Sequence, residues 1–367
     1  MKKIALIVFL MACISCDKEP NIFNDITSKG GFVLFQSSLN PLHDISGDET
    51  VISNTVTDPN DNALKYELFV EKVDGTLTES MVAVTSFPGN ILVTRTMVLS
   101  ALGLENAEDL PQNITFIGGV TTPDGFFSGQ APNFNTTTNT QEGGNTYYEG
   151  LADIPGEAMK FSMVMFQLIP EGQIATFSIL TENDDVEEII ADNGEGGTIG
   201  EMDLSSSDLE IGELSGGQGI VGIGLRFNFV GLPQGATITS AKVQFQVDNA
   251  GSGPVEMIIY GENTGNSEAF TSDLGNLTSR NYTSSSVIWE VPEWASEGEQ
   301  GTDQQTVDFS EVLQEIVNRS DWVPGNSISI IMLPYGDSLN ASSTSGGREA
   351  EAGVGDDSAK LLLSYTN

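Results

Sequence analysis

Chemistry in this sequence would have to be carboxylate chemistry. Acidic residues gather at Asp184, Asp185, Glu187 and Glu188, again at Asp208 and Glu210, and again at Asp356 and Asp357, each time in loop-like surroundings. Carboxylate oxygens are hard ligands, so such clusters suit a divalent cation, calcium above all, which takes six to eight oxygens at about 2.3–2.6 Å. The plainer physical reading is a set of solvated charges that discourage sheet edges from pairing. No two carboxylates are marked out as a glycosidase acid and nucleophile, because that role is defined by a separation of about 5–9 Å that a sequence does not display.

Other chemistries lack their residues. His43 is the only histidine, so a zinc site built from several histidines is excluded, and no G-x-S-x-G accompanies it to suggest a serine nucleophile. It sits in the turn-rich "NPLHDISGDE" and is expected to be a solvent-facing loop residue. There is no P-loop pattern and no credible G-x-G-x-x-G after a strand, which leaves nucleotide chemistry without support. A formal net charge of −38 repels phosphate backbones and argues against nucleic-acid binding. Phe126, Phe127, Phe134, Tyr147 and Tyr148 lie in long polar loops and are the aromatic candidates for contact with a ligand or partner, the alternative being that they only pin those loops.

The elements that must position these residues read as β-strands. Forty glycines, many Ser, Thr and Asn, and short alternating apolar runs mark an all-β chain whose length suits two β-sandwich domains, 30–170 and 174–367. In "LKYELFV", Leu64, Tyr66, Leu68 and Val70 share a face, and "KFSMVMFQL" is apolar on both faces, as in the middle of a sandwich. "IGLRFNFV" and "AKVQFQV" send Ile223, Leu225, Phe227, Phe229, Ala241, Val243, Phe245 and Val247 inward. Two short helices interrupt the pattern. One holds Met97, Leu99, Leu102 and Leu104 and is ended by Gly103. The other carries the stripe Phe309, Val312, Leu313, Ile316 and Val317, with Asp308 and Glu311 as a capping box.

The N-terminus explains both cysteines. Met1-Lys2-Lys3 is basic, Ile4 to Ile14 is apolar but too short to span a bilayer comfortably, and Ser15-Cys16 follows, the layout of a secretory signal peptide. The end of that run resembles the bacterial lipobox, with Cys13 where leucine is usual. The resemblance implies that residues 1–15 are removed, that Cys16 is acylated, and that 16–29 is a linker. Two or more acyl chains hold a protein on a membrane far more firmly than one. Asp17-Lys18-Glu19 resembles the export tag of surface lipoproteins in Bacteroidota, which implies the outer face of the outer membrane. Cys13 then leaves with the signal and Cys16 is blocked, so thiol chemistry and disulfides drop out.

Two further resemblances cover the rest. "GGFV", "LKYELFVEKVDGTLTESMVAV", "TRTMVLSALGL" and "ITFIGGVTTPDGFFSG" resemble an immunoglobulin-like N-terminal domain of Bacteroidota surface lipoproteins. "NDDVEE", "LSSSDLEIG", "VGIGLRFNFVGLPQGATITSAKVQFQVD", "IIYGENT", "LTSRNYTSSSVIWEVPEW", "DFSEVLQEIVNRSDWVPGNSISIIM" and "LLLSY" resemble a jelly-roll domain appended to secreted bacterial proteins. In that fold the first and last strands are neighbours, which implies that Asp184, Asp185, Asp208, Glu210, Asp356 and Asp357 converge on one structural calcium ion. Trp289, Trp294 and Trp322 are then packing residues rather than sugar platforms. Arg226, Arg280, Arg319 and Arg348 are four of the few cations there, and the three in matched blocks are expected to pair with carboxylates such as Glu262 or Asp208. The implied function is that of a non-catalytic surface lipoprotein binding a glycan or an outer-membrane partner protein. The alternatives are an accessory subunit of an envelope transporter or adhesion complex, and a carboxylate-dependent hydrolase.

Overall fold

The computed structural model describes residues 30–47, 49–130, 133–135, 140–142, 156–191, 197–213, 219–339 and 347–367. Cys13, Cys16, Tyr147 and Tyr148 lie outside the described residues. In chain order the first elements are β1 (Leu34–Phe35), β2 (Leu42–Asp44), β3 (Thr50–Thr57), β4 (Lys65–Val70), β5 (Val82–Val84), β6 (Gly89–Thr94), α1 (Arg95–Leu102), β7 (Asn113–Thr122), β8 (Gly125–Ser128), β9 (Asn133–Asn135), β10 (Thr140–Glu142) and β11 (Lys160–Phe166). Then come β12 (Ala175–Ser178), β13 (Asp185–Ala191), β14 (Met202–Asp203), β15 (Asp208–Glu213), β16 (Ile220–Phe227), β17 (Thr237–Gln244), β18 (Val247–Asn249), β19 (Glu256–Gly261) and β20 (Val287–Glu290). The chain closes with α2 (Ser310–Val317), β21 (Ile328–Pro334), β22 (Arg348–Glu351) and β23 (Lys360–Thr366). The fold is all-β, and its sheets pack face to face. None of the described helices is long and apolar enough to cross a membrane.

Two compact units divide the chain. The first holds residues up to 40, 49–106 and 114–163; the second holds 41–48, 107–113 and 164–367. In the first unit β1, β3 and β6 form one antiparallel sheet, while β11, β7, β4 and β5 follow one another in a second, with β8 paired to β7. Alternation builds the layer between them: Tyr66, Leu68 and Val70 of β4 and Ile52 and Val56 of β3 are buried. Phe161 joins the layers, meeting Phe35 edge-on at 5.1 Å and stacking on Phe116 at 5.3 Å. Leu64 falls outside this alternation, just ahead of β4, and is exposed. Thr94 caps α1 by accepting from the Met97 N–H, and Gly103 ends it at φ 72°, a left-handed turn that glycine takes without strain.

In the second unit β12, β23 and β17 form one sheet against a larger one in the order β18-β22-β15-β16-β21-β19-β20, with β13 on β16. Their shared core contains Ile223, Leu225 and Phe227 of β16, Ala241 and Val243 of β17, and Leu361 and Leu363 of β23. The inward alternation of β16 stops at Phe227; Phe229 lies beyond the strand at φ 56° and is only half-buried. The apolar stripe of α2 enters this core, and Gly261 lets the helix approach, since a Cβ there would stand 2.7 Å from Ile316. The expected capping box does not form at α2. Asp308 instead accepts from the Ser310 N–H at 2.9 Å and ties the helix to β17 through Ser240 and Ala241. Trp289, Trp294 and Trp322 are each 1% exposed, and the last two donate their indole N–H to the carbonyls of Asp303 and Leu232.

His43 departs from expectation. It lies on β2 opposite Met165 and is buried, because the turn-rich stretch forms a short parallel strand against the Val164–Phe166 end of β11.

Candidate functional site

The alternation of β15 and β22 decides where the carboxylates of the second unit go. Leu209 and Ile211 of β15, with Arg348 and Ala350 of β22, turn inward and are buried. Asp208 and Glu210 therefore lie on the other face, opposite Glu351 and Glu349, so that the paired ladder carries acid on one face, half-buried at Asp208 and covered at Glu210. The irregular β18–β22 pairing brings Asp248 beside them. Ligand oxygens of Asp208, Asp248 and Glu349 lie within 4.8 Å of one another, in the one such group among the described residues.

Like charges placed opposite one another in a sheet destabilise it. No lysine or arginine among the described residues forms an ion pair with this trio. Partial burial, reinforced by Asp208, Glu349 and Glu297, raises the Asp248 carboxyl above its usual range. Glu351 is raised by burial and then by Asp248, Asp357, Glu297 and Asp208. Asn249 spans two members, donating to Asp248 at 3.1 Å and to Glu349 at 2.6 Å, while the Ser206 hydroxyl donates to Asp208 at 3.1 Å. Three half-buried carboxylates with unneutralised charge have the donor chemistry a hard divalent cation requires.

The stretch from Asp184 to Glu188 is a different object. From Asp185 it runs along β13 rather than a loop, with Asp184 in the turn just before the strand, and its acids are engaged by the fold. Asp184 is fully buried; it accepts from Arg226 Nη1 and Asn228 Nδ2, each at 2.7 Å, and from Thr181. Glu188 accepts from the N–H groups of Leu277 and Thr278 at 2.8 and 2.9 Å and from the Thr278 hydroxyl. Asp185 accepts from the Gly353 N–H at 2.7 Å, and burial pushes its carboxyl up to about 6. Glu187 accepts from the Glu210 N–H, and burial together with the Glu210 carboxyl pushes it up to about 10.

Of the six carboxylates expected to meet, then, only Asp208 stands in the close group. Asp356 contributes a backbone carbonyl to Lys360, and Asp357 lies near enough to Glu351 to raise it. The acidic clusters legible in the sequence leave out Asp248, the single acid of β18, and Glu349, which alternates with Glu351 on β22. The signal for them was the outward alternation of "REAE" once paired with "DLEIGE". Three arginine expectations hold: Arg226 pairs with Asp184 at 2.7 Å, Arg280 with Glu262 at 2.8 Å and Arg319 with Asp321 at 2.8 Å. Arg348 does not pair with Asp208: it points inward and donates to the carbonyls of Pro292 and Gly253 at 2.7 and 2.8 Å.

The aromatic candidates of the first unit also separate. Phe126 and Phe127 belong to strand β8 rather than a loop, so alternation sends one to each face. Phe127 is buried, while Phe126 is 46% exposed and packs edge-on against Phe69 at 6.5 Å. Phe134 lies on β9, which is described by its backbone alone. No protein-family model matches the chain, and no curated protein matches it.

Proposed function

We propose that this chain is a non-catalytic binding protein, displayed at the outer membrane on a lipid anchor at Cys16, that engages a glycan or a partner protein through the surfaces of its β-sandwiches. The observation that carries the reading is the engagement of the buried acids. A hydrolase would need two carboxylates open to substrate and set about 5–9 Å apart. Glu187, whose carboxyl burial raises, is instead 4% exposed beside Glu210, itself 8% exposed, and is bound up with the backbone of β15. Among the described residues, Asp208, Asp248 and Glu349 remain only half-buried on the sheet surface.

A structural calcium ion on Asp208, Asp248 and Glu349 belongs to the same reading, its chemistry being neutralisation of the ladder and tethering of β18 to β15. An ion that binds only the folded state raises its melting temperature. Millimolar calcium added to chelator-treated protein is expected to raise the melt, and an unchanged melt removes the ion from the proposal.

The binding reading itself is tested by passing the full chain over immobilised polysaccharides and by co-purification from solubilised envelopes. Retention in either assay supports it. Absence of both, with the protein folded, overturns it. Intact mass and surface proteolysis test the anchor: an unmodified Cys16 sinks that part.

A further inference from the structure

One groove in the first unit is unlike the rest of the molecule. It is a shallow, open groove of about 630 Å³, against roughly 300–1,000 Å³ usual for small-molecule sites, and it lies over the outward face of the β1-β3-β6 sheet. Its floor follows from alternation. Ser53 and Thr55 of β3 sit opposite Leu92 and Asn90 of β6 on one face, while Ile52, Val56, Ile91 and Val93 turn to the core. Gln36 and Ser37, which follow β1, form one wall. None of the residues lining the groove carries a charge, in a chain whose net charge is −38.

The polar groups here are held in place. Asn54 is 9% exposed, and its amide anchors the wall: Nδ2 donates to the Ser37 carbonyl at 2.8 Å, and Oδ1 accepts from the Ser37 hydroxyl at 3.2 Å and from the Thr55 N–H at 2.8 Å. The Gln36 N–H adds a bond to the Thr55 carbonyl at 2.8 Å. On the floor, the Thr55 hydroxyl donates to Asn90 Oδ1 at 2.7 Å, which sets the orientation of that amide and leaves its Nδ2 hydrogens directed away from Thr55. The result is two oriented amides, Asn54 and Asn90, and two engaged hydroxyls, Ser37 and Thr55, with the Ser53 and Gln36 side chains left to a ligand beside one exposed apolar side chain, Leu92. Preorganisation of this kind lowers the ordering cost of binding.

We propose that this groove binds a neutral oligosaccharide segment. A phosphate, sulfate or carboxylate ligand would meet no cation in the lining and would approach against the field of the whole molecule. A cationic ligand would find no carboxylate there. A peptide recognised by strand addition would use a sheet edge and side-chain pockets, whereas this groove lies across a sheet face and presents side-chain donors and acceptors. A chain of uncharged hydroxyls supplies both donors and acceptors to Ser53, Asn90 and Gln36, and its C–H surface can rest on Leu92. The inference rests on the binding reading above and gives it a ligand class and a place.

The test uses the full chain in native affinity gels containing β-glucan, xylan, mannan or starch, with polygalacturonate as the anionic comparator. At least one neutral polysaccharide is expected to retard the protein. Asn90→Ala combined with Ser53→Ala is expected to weaken that retardation about tenfold or more, while Val73→Ala, exposed and outside the groove, leaves it unchanged. Circular dichroism and melting confirm that each variant is folded. Retardation that persists in the double variant overturns the groove assignment while leaving glycan binding in place. Retardation by polygalacturonate alone overturns the neutral class. Failure of every polysaccharide overturns this inference, and co-purification of a protein partner then shows that the broader binding reading survives it.

Discussion

At the scale of single residues, buried charge is the dominant constraint. Asp184 is 0% exposed and its charge is balanced by Arg226 at 2.7 Å. Removing one partner of a buried pair leaves an uncompensated charge, at a cost of about 3–5 kcal/mol. Arg226→Met is therefore expected to lower stability by that order in urea unfolding, and Asp184→Asn added to it should recover part of the loss; a neutral effect of the first change would contradict the pairing. Asp185 behaves in the opposite sense. Its carboxyl rises from 3.8 to about 6 in the folded chain, so the folded state holds a proton that the unfolded state has given up. The stability associated with that proton is fully present below about pH 4 and is lost as pH rises through about 6, an effect of order 3 kcal/mol. Asp185→Asn keeps an acceptor for Gly353 and removes the titration. The variant should thus gain on the wild type between pH 4 and 7 in matched unfolding curves, and parallel curves would refute the assignment.

At the scale of elements, the acidic ladder and the helix make separate predictions. Glu349 faces Asp208 and Asp248 across paired strands. Without a divalent cation, Glu349→Gln should relieve repulsion and raise stability by a few tenths to about 1 kcal/mol. With calcium present the same change should lower the melt by removing a ligand. A substitution that acts with the same sign in chelator and in calcium would separate the ladder from cation binding. In α2, Val312, Leu313, Ile316 and Val317 are all buried in the main core. Leu313→Ala opens a cavity there and should cost about 2–5 kcal/mol, read as a shift in urea midpoint.

At the scale of the whole molecule, charge sets the conditions under which the fold persists. A chain at −38 repels itself most at low ionic strength, and the Debye length falls to about 10 Å at 0.1 M salt. Sodium chloride raised from a few millimolar to about 0.3 M, with chelator in every sample, should increase the melting temperature by about 2–4 °C for each kcal/mol of repulsion relieved. A melt that falls with salt would show attractive pairs to outweigh the net charge. The same field favours uncharged or cationic partners, which agrees with a neutral ligand for the groove on the β1-β3-β6 sheet.

Much of this molecule follows from local pattern alone. Alternation with a period of two specified which side chains of "KYELF", "IGLRF" and "AKV" are buried, and the 3.6-residue stripe of "SEVLQEIV" specified the buried face of α2, because each depends only on backbone geometry within one segment. The burial of the three tryptophans was expected from the jelly-roll resemblance rather than from any local period. Which carboxylates meet was not legible. Asp208, Asp248 and Glu349 are brought together by the register of β15 on β22 and by the irregular pairing of β18, and register is a property of partners distant in the chain. His43 and Phe127 are buried for the same cause: a turn-rich stretch found β11 to pair with, and a polar hairpin found β7. The sequence by itself determined the strand faces, the helix stripe and the charge. Tertiary structure decided which acids converge and which neutral groups share a groove, because those depend on strand order and register, and a linear pattern does not encode neighbours.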